Sequence, residues 1–318
     1  MKPLQHLQHH VPVLSESLRL DRYIAEQLQL FTRSQAEKRE LTVVCNGQTA
    51  KSSLKLLGGE FLELTWQDLP EPSFEPEDLN LDVLFENDTV IVVNKPRGMV
   101  VHPAHGNWSG TLVQGLLHRI TDLSEAFDDE SNSLRPGIVH RLDKDTSGVL
   151  IAAKNPQTLE ALSAQFRERS TEKVYWAIVK SRPKTEQGQL TGWMARDPKN
   201  RQRFALRPEG EGKLATTDWK CWATNGRYSL LRFCPRTGRT HQLRVHSASL
   251  GCPILGDPIY SRTDPSFPDC PLMLHAAHLT LVLPGEETPT TFTAPLPHDF
   301  LEVLSRLGLP IPPSDAKG

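Results

Sequence analysis

Gly137-Ile-Val-His-Arg-Leu-Asp-Lys-Asp-Thr-Ser-Gly-Val-Leu-Ile-Ala-Ala-Lys154 is the stretch on which the reading of this chain turns. Its centre is charged and turn-forming (His140, Arg141, Asp143, Lys144, Asp145), with apolar pieces, Ile138-Val139 and Val149 to Ala153, on either side. Apolar runs flanking a Ser-Gly pair predict buried strands. Packing alone gives no reason to put five charged or titratable side chains between two such strands. An ordinary polar turn is the plain reading, and three chemical readings compete with it.

The first is a calcium loop, because Asp143, Asp145, Ser147 and Gly148 imitate the start of an EF-hand. That loop needs a bidentate carboxylate at its twelfth position, where Lys154 stands, and no helical pattern leads into it. The second is an aspartyl-phosphate phosphatase, whose nucleophile motif is Asp-x-Asp after a fully apolar strand. Here the strand ends His-Arg-Leu, so this reading is kept only as an enzyme alternative.

The third reading is a family resemblance. His140-Arg141-Leu142-Asp143, followed by Thr146-Ser147-Gly148 and Ala153-Lys154, resembles the signature of the RluA-type pseudouridine synthases. Further stretches fit in the same order: Asn94-Lys95-Pro96-x-Gly98 with Val101-His102-Pro103, then Lys173-Val174-Tyr175. They continue with Thr237-Gly238-Arg239-Thr240-His241-Gln242-Leu243-Arg244-Val245-His246 and Leu255-Gly256-Asp257-Pro258-x-Tyr260. One such stretch is moderate evidence, whereas the full ordered set is strong. The resemblance spans nearly everything from Leu18 to Leu307.

At 318 residues the chain can hold one large or two unequal domains, at ~150 residues per domain. No run approaches ~18 consecutive apolar residues, so no transmembrane helix is expected. Met1 to Val13 is Gln- and His-rich without the apolar core of a signal peptide, and is expected to be a disordered leader over residues 1–16. His6, His9 and His10 belong to that leader and are not expected to bind metal. The five cysteines form no Cys-x-x-Cys pair, which argues against a disulfide scaffold or zinc site and for a reducing cytoplasm. The net charge of −2 is segregated: Glu60 to Asp88 holds ten acids and no lysine or arginine, leaving the rest of the chain at +8. That permits a basic face beside an acidic connector.

Leu20, Ile24 and Leu28 share one helical face, predicting an amphipathic helix over Arg19 to Leu30. Ser34 with Glu37 forms a capping-box pattern opening a second, short helix with Lys38 and Arg39. Leu41 to Cys45 reads as a strand, Asn46-Gly47 as a hairpin turn and Phe61 to Trp66 as a closing strand. Residues 17–66, with Arg33, Lys38 and Arg39 at the helix junction, resemble the S-four-like RNA-binding module found ahead of these synthases. A small cap that binds nothing is the alternative, since the second helix is short. Residues 67–80, with Pro70, Pro72 and Pro76 among acids, read as a linker.

Residues 81–309 are the expected catalytic domain and 310–318 a tail. Strands are predicted at Leu81 to Phe85, Thr89 to Val93, Lys173 to Val179, Thr216 to Thr224, Tyr228 to Phe233, Leu272 to Leu274, Leu279 to Leu283 and Thr290 to Thr293. Helices are predicted at Leu112 to Ile120, from Asn155-Pro156 to Arg169, through Leu243 and Val245 to a left-handed Gly251, and at a closing segment with Leu301, Leu304 and Leu307 inward. Arg196 to Arg207, rich in basic side chains, reads as a solvated hairpin or a backbone contact for RNA. Strands outnumber helices without alternating regularly, which gives an α+β class with a mixed, mostly antiparallel long sheet and flanking helices.

The resemblance implies isomerisation of uridine in RNA: the glycosidic bond to nitrogen breaks, the uracil turns, and carbon five bonds the ribose. It assigns the catalytic carboxylate to Asp143, its charged partner to Arg244, and the ring under the flipped uracil to Tyr175. Arg141 matches the residue that fills the vacated stack, a role its planar guanidinium suits. Asn94 and Lys95 match a loop that either binds substrate or shapes the neighbouring sheet. His140, Thr146 and Ser147 are expected to orient the Asp143 turn by hydrogen bonds, with Asp145 the nearest decoy for the carboxylate. No cofactor is implied, in agreement with the missing dinucleotide fingerprint, P-loop and zinc spacing. The expected partner is RNA, with 23S rRNA of the pre-ribosomal large subunit favoured because the module-bearing, RluD-like branch acts there. Transfer RNA is the alternative substrate, and a non-catalytic RNA-binding protein the alternative class. A monomer without membrane contact, in the cytoplasm, completes the expectation.

Overall fold

Leu62 and Leu64 alternate with more exposed neighbours along β6 (Phe61–Gln67), and both are fully buried, so one face of this strand founds the first core. In the computed structural model the described residues are 4–31, 36–37, 39–67, 75–103, 107–120, 136–200 and 202–313. They form two compact units, Met1–Ser73 and Phe74–Gly318.

In the first unit β6 is flanked by β1 (Leu4–His10) and β3 (Thr42–Cys45), with β4 (Gln48–Thr49) at the edge, all antiparallel. Asn46 and Gly47 both take positive φ, 48° and 79°, which makes the two-residue hairpin expected there. Short strands β2 (Leu18–Arg19) and β5 (Lys55–Leu56) pair beside it. The disordered leader is corrected: residues 4–10 form an edge strand paired along its whole length. Backbone bonds to β6 hold it, helped by His9 bonding the Tyr23 hydroxyl at 2.8 Å, so its polar side chains can stay exposed. The helix expected over 19–30 shrinks to one α-turn, Leu20–Arg22, widening into a π-turn, Tyr23–Gln27, closed by Leu28 N–H on the Tyr23 carbonyl. Leu20, Tyr23 and Ile24 are buried, while Leu28, past the wider turn, packs against the same core only half-buried. Of the second expected helix, Ala36 and Glu37 are helical; Arg33, Ser34 and Lys38 lie outside the described residues.

The second unit is built on one ten-stranded sheet. From one edge it runs β12 (Phe204–Arg207), β11 (Gln187–Arg196), β13 (Lys213–Thr224), β14 (Tyr228–Pro235), β10 (Glu172–Lys180), β15 (Leu274–Val282), β9 (Ser147–Ala153), β8 (Val90–Lys95) and β7 (Val83–Glu86). A further strand, β16 (Pro289–Thr293), also pairs with β15. Among the described residues every pairing in this sheet but β9–β15 is antiparallel, as the mixed, mostly antiparallel expectation requires. Helices α1 (Leu112–Arg119), α2 (Pro156–Glu168), α3 (Gln242–Ser249) and α4 (His298–Leu307) flank it. Asn155 caps α2 by accepting Thr158 N–H at 2.9 Å, with Pro156 at N1, and Gly251 is left-handed after α3, as read from sequence. Among the described residues no helix is long and apolar enough to cross a membrane.

Four readings of this unit change. Ile138-Val139 is no strand but a single bridge from Ile138 to Ala152, because the Gly137 turn leaves no room for a longer ladder. Leu272 to Leu274 and Leu279 to Leu283 are not separate: one strand runs from Leu274 through His275, whose ring bonds Ser147 and the Ala294 carbonyl, and His278, whose Nδ1 bonds Thr293. The inward face of α4 is Phe300, Val303 and Leu304, one step round from the face expected. Residues 75–80, expected in the linker, lie against this unit: Glu77 accepts Gly110 N–H at 2.7 Å and donates its own N–H to the Gln114 carbonyl.

Gly148 sets the closest approach in the sheet. It has φ 118°, and a Cβ there would lie 2.1 Å from the Ala276 carbonyl oxygen of the parallel neighbour. Gly148→Ala is therefore expected to destabilise the protein by about 1–3 kcal/mol from backbone conformation alone, before the clash is counted. Thermal unfolding checks this, and an unchanged Tm would mean that β9 and β15 can separate freely.

Candidate active site

The turn between His140 and Thr146 enters the middle of the sheet, and its backbone is clamped from behind. Thr146 N–H closes it on the Asp143 carbonyl at 3.1 Å, and Gly98 N–H bonds the Lys144 carbonyl at 2.9 Å. Leu142 is buried beneath, so Asp143 is turned into a cleft of about 460 Å³ with a 19% exposed side chain. Tyr175 reaches the same cleft from β10. Its Cα pairs with Ala276, which pairs with Gly148, so one row across three strands carries both sides of the site. A register shift between Val174 and Tyr175 re-aims that side chain. Burial, and then the charge of Asp143, push the Tyr175 phenol well above its ordinary pKa, so it acts as a neutral ring.

Arg244 comes from α3, whose start is fixed by Gln242. The Gln242 side-chain carbonyl accepts Thr237 Oγ1 at 2.7 Å and Arg239 N–H at 3.0 Å, while its amide donates to the Thr216 carbonyl and Thr217 Oγ1. Arg244 donates two 2.8 Å bonds to Asp257, and its Nη1 stands 3.6 Å from Asp143 Oδ2. Burial is the largest single influence on Arg244 and opposes its charge, but the Asp257 bond together with the charges of Asp257 and Asp143 outweighs it and raises the pKa. At Asp257 burial is again the largest influence, and the Arg244 bond and charge with two backbone N–H bonds together overcome it, so its pKa is lowered. Asp257 also accepts Ile259 and Tyr260 N–H at 2.8 and 3.0 Å.

Among the described residues lining the cleft, Asp143 is the sole carboxylate, set among Arg141, Arg167, Arg169, Lys173, Arg236, Arg239 and Arg244. Arg141 is exposed at its mouth. The arrangement can seat a planar base on Tyr175, hold a carboxylate beside it and receive a polyanion at the rim. No group of three or more metal-ligating side chains occurs among the described residues.

The structure separates the other expected site residues. Asp145 does not line the cleft; its charge acts on Lys95 behind the turn. Asn94 and Lys95, expected as substrate-binding, are corrected. Asn94 donates to Asp82 at 2.9 Å, and both residues border a second cavity on the far side of the turn. Lys95 is fully buried with its ammonium on the carbonyls of Pro96, Met99 and Lys144, and burial pushes its pKa down to about 7 despite Asp145 and Asp143. Its part is to clamp the Asp143 turn.

His140 lines the cleft but does not bond the turn: its Nε2 accepts Ile151 N–H at 3.1 Å and its ring stacks on Phe166 at 4.6 Å. Burial lowers its pKa to about 3, so it is neutral. Ser147 likewise turns away, bonding His275 at 2.9 Å, whereas Thr146 is buried on the cleft wall. Arg39 packs over Phe31 in the first unit, 5.5 Å from the ring centroid. Asp257, His241 and Tyr260 lie within the sequence motifs but carried no assigned role; only the fold brings them to Asp143 and Arg244.

A family model described as RNA pseudouridylate synthase matches residues 89–249. The chain is 42% identical over 309 residues to a protein of Chlorobaculum parvum named as an uncharacterized RNA pseudouridine synthase, spanning 91% of this chain and 94% of that one. It is 39% identical to the ribosomal large subunit pseudouridine synthase D of Borreliella burgdorferi, over 92% of this chain and 90% of the relative. Among solved structures, human RNA pseudouridylate synthase domain containing 4 matches with a TM-score of 0.55 at 27% identity, over 73% of this chain and 95% of the human one.

Proposed function

The chain belongs to the RNA pseudouridylate synthase family and is an RNA pseudouridine synthase, and we propose that it acts on uridines of large-subunit (23S) ribosomal RNA with Asp143 as the catalytic carboxylate. The observation that carries the mechanism is the cleft in which that carboxylate is the sole one among the described lining residues, set among cations beside the neutral ring of Tyr175. A uridine in folded RNA must leave its stack to reach such a site, and Arg141 at the mouth is placed to take the vacated position. The uracil then packs on Tyr175. Arg244 Nη1 faces the Asp143 carboxylate at 3.6 Å, and the carboxylate is held within reach of the glycosidic bond. The ribosomal target is supported by the large-subunit name of the Borreliella relative.

Mapping pseudouridine in total RNA from cells with and without the gene tests the target. Sites lost from large-subunit RNA are expected; loss from transfer RNA alone would overturn the assignment while leaving the chemistry.

The first unit is proposed as a second RNA grip through Arg33, Lys38 and Arg39. Deleting residues 1–73 is then expected to weaken RNA binding and flatten its log–log salt dependence, by about one unit for each phosphate that the unit neutralises. An equal slope in the full and shortened chains would make that unit a cap.

A further inference from the structure

His241 stands in a conformation that needs an explanation. It opens α3 with φ 57° and ψ 18°, a left-handed backbone that residues other than glycine seldom adopt. That conformation turns its ring into the cleft, edge-on to Phe204 and to Tyr260 at centroid distances of 5.8 and 5.6 Å. Backbone outliers held by their surroundings cluster at functional sites.

The bonds around the ring favour one tautomer. Tyr260 Oη accepts the Phe204 backbone N–H at 2.7 Å, which leaves the phenolic proton to be donated to His241 Nδ1, 2.9 Å away. An imidazole that accepts at Nδ1 carries its proton on Nε2. Nε2 stands 3.9 Å from Asp143 Oδ2, and Arg244 Nη1 also makes its closest approach to that oxygen. Oδ1 is thereby left to the substrate. A gap of this length is usual in free enzymes, where catalytic hydrogen bonds tighten once substrate is bound.

We propose that His241 is a positioning residue for uridine isomerisation, a neutral donor that locks Asp143 through Nε2–H, with Tyr260 setting the required tautomer. The inference rests on Asp143 being the catalytic carboxylate. The charges facing His241 are Asp143 from the turn, Arg244 from α3, Asp257 from the following loop and Arg141 from the cleft mouth, with the Tyr260 phenol beside them. Burial, the largest influence, lowers the imidazole pKa, so the ring is an uncharged donor. Arg244 spends Nε and Nη2 on Asp257 and faces Asp143 with Nη1 alone, so His241 adds a second donor on the same oxygen.

The test measures single-turnover pseudouridine formation at saturating RNA across the acid limb, with RNA affinity and Tm, for His241→Phe, His241→Gln and Tyr260→Phe. His241→Phe is expected to slow the reaction about 10–100-fold with affinity little changed. Its acid limb moves to higher pH, because the ionised carboxylate has lost a donor. His241→Gln, whose amide can reproduce the Nε2–H, recovers at least half of that loss on a logarithmic scale. Tyr260→Phe shifts the limb in the same direction as His241→Phe. An unchanged rate and limb in His241→Phe overturns the proposal, and so does an equal loss in the Phe and Gln variants. Asp143→Asn in the same assay separates the two ideas: retained activity there sinks the carboxylate assignment itself, whereas an inactive Asp143→Asn beside a normal His241→Phe sinks only the role of His241.

Discussion

Asp143→Asn is expected to abolish pseudouridine formation, a loss of about 10²–10⁴-fold or more, while folding and RNA affinity stay nearly intact. On the proposed mechanism the activity rests on one carboxylate, because no other acid among the described residues lines the cleft. Folding does not depend on it. The nearest cation, Arg244, keeps its two 2.8 Å bonds to Asp257 when Asp143 loses its charge, so no buried guanidinium is stranded. RNA affinity is spread over the basic rim, and removing a negative charge from it does not weaken phosphate contacts. Product analysis with parallel binding measurements decides the matter. An Asn variant that keeps a tenth of the activity would transfer the role to another group, with Asp145 the first to examine.

Arg244→Met has a different signature, because it damages folding as well as chemistry. Asp257 has a fully buried side chain, and without the guanidinium it retains only the two backbone N–H bonds. Removing one partner of such a pair typically costs about 3–5 kcal/mol. The pH dependence gives the sign. In the native protein the Asp257 pKa is depressed, so its contribution is present above the unfolded carboxylate value of about 3.9 and is lost as pH falls through the folded one. In Arg244→Met burial is opposed only by the two backbone N–H bonds and is expected to raise that pKa, so the variant should gain stability on mild acidification where the parent does not. Thermal unfolding at neutral and mildly acid pH measures both. A variant within about 1 kcal/mol of the parent would mean that the pair does not hold α3 to its loop.

Much of this site was legible in sequence because its chemistry lies in short contiguous motifs. The Asp143 turn, Tyr175 on its strand and Arg244 on its helix come together as the motif order implied. What could not be read was direction. Asn94 and Lys95 sit beside the site in every sense but the one that matters, since strand β8 delivers them behind the turn; alternation along a buried strand does not tell which end of the loop faces the cleft. β11 was missed because Gln187 to Arg196 is polar and half-exposed, stabilised by pairing with β13 rather than by an apolar face. The edge strand Leu4–His10 escaped for the same reason. His241 and Tyr260 lie within the motifs, but their meeting depends on a left-handed residue that no local pattern announces.

When carbon five of uracil bonds the ribose, its hydrogen must leave, so release of tritium from RNA labelled at that carbon reports the reaction itself. Purified protein incubated with such large-subunit RNA in EDTA is predicted to release tritium and to yield pseudouridine in equal amount, with Asp143→Asn releasing none. Tritium release by Asp143→Asn at the parent rate, or activity from the parent only when a metal ion is restored, would contradict a mechanism centred on this carboxylate.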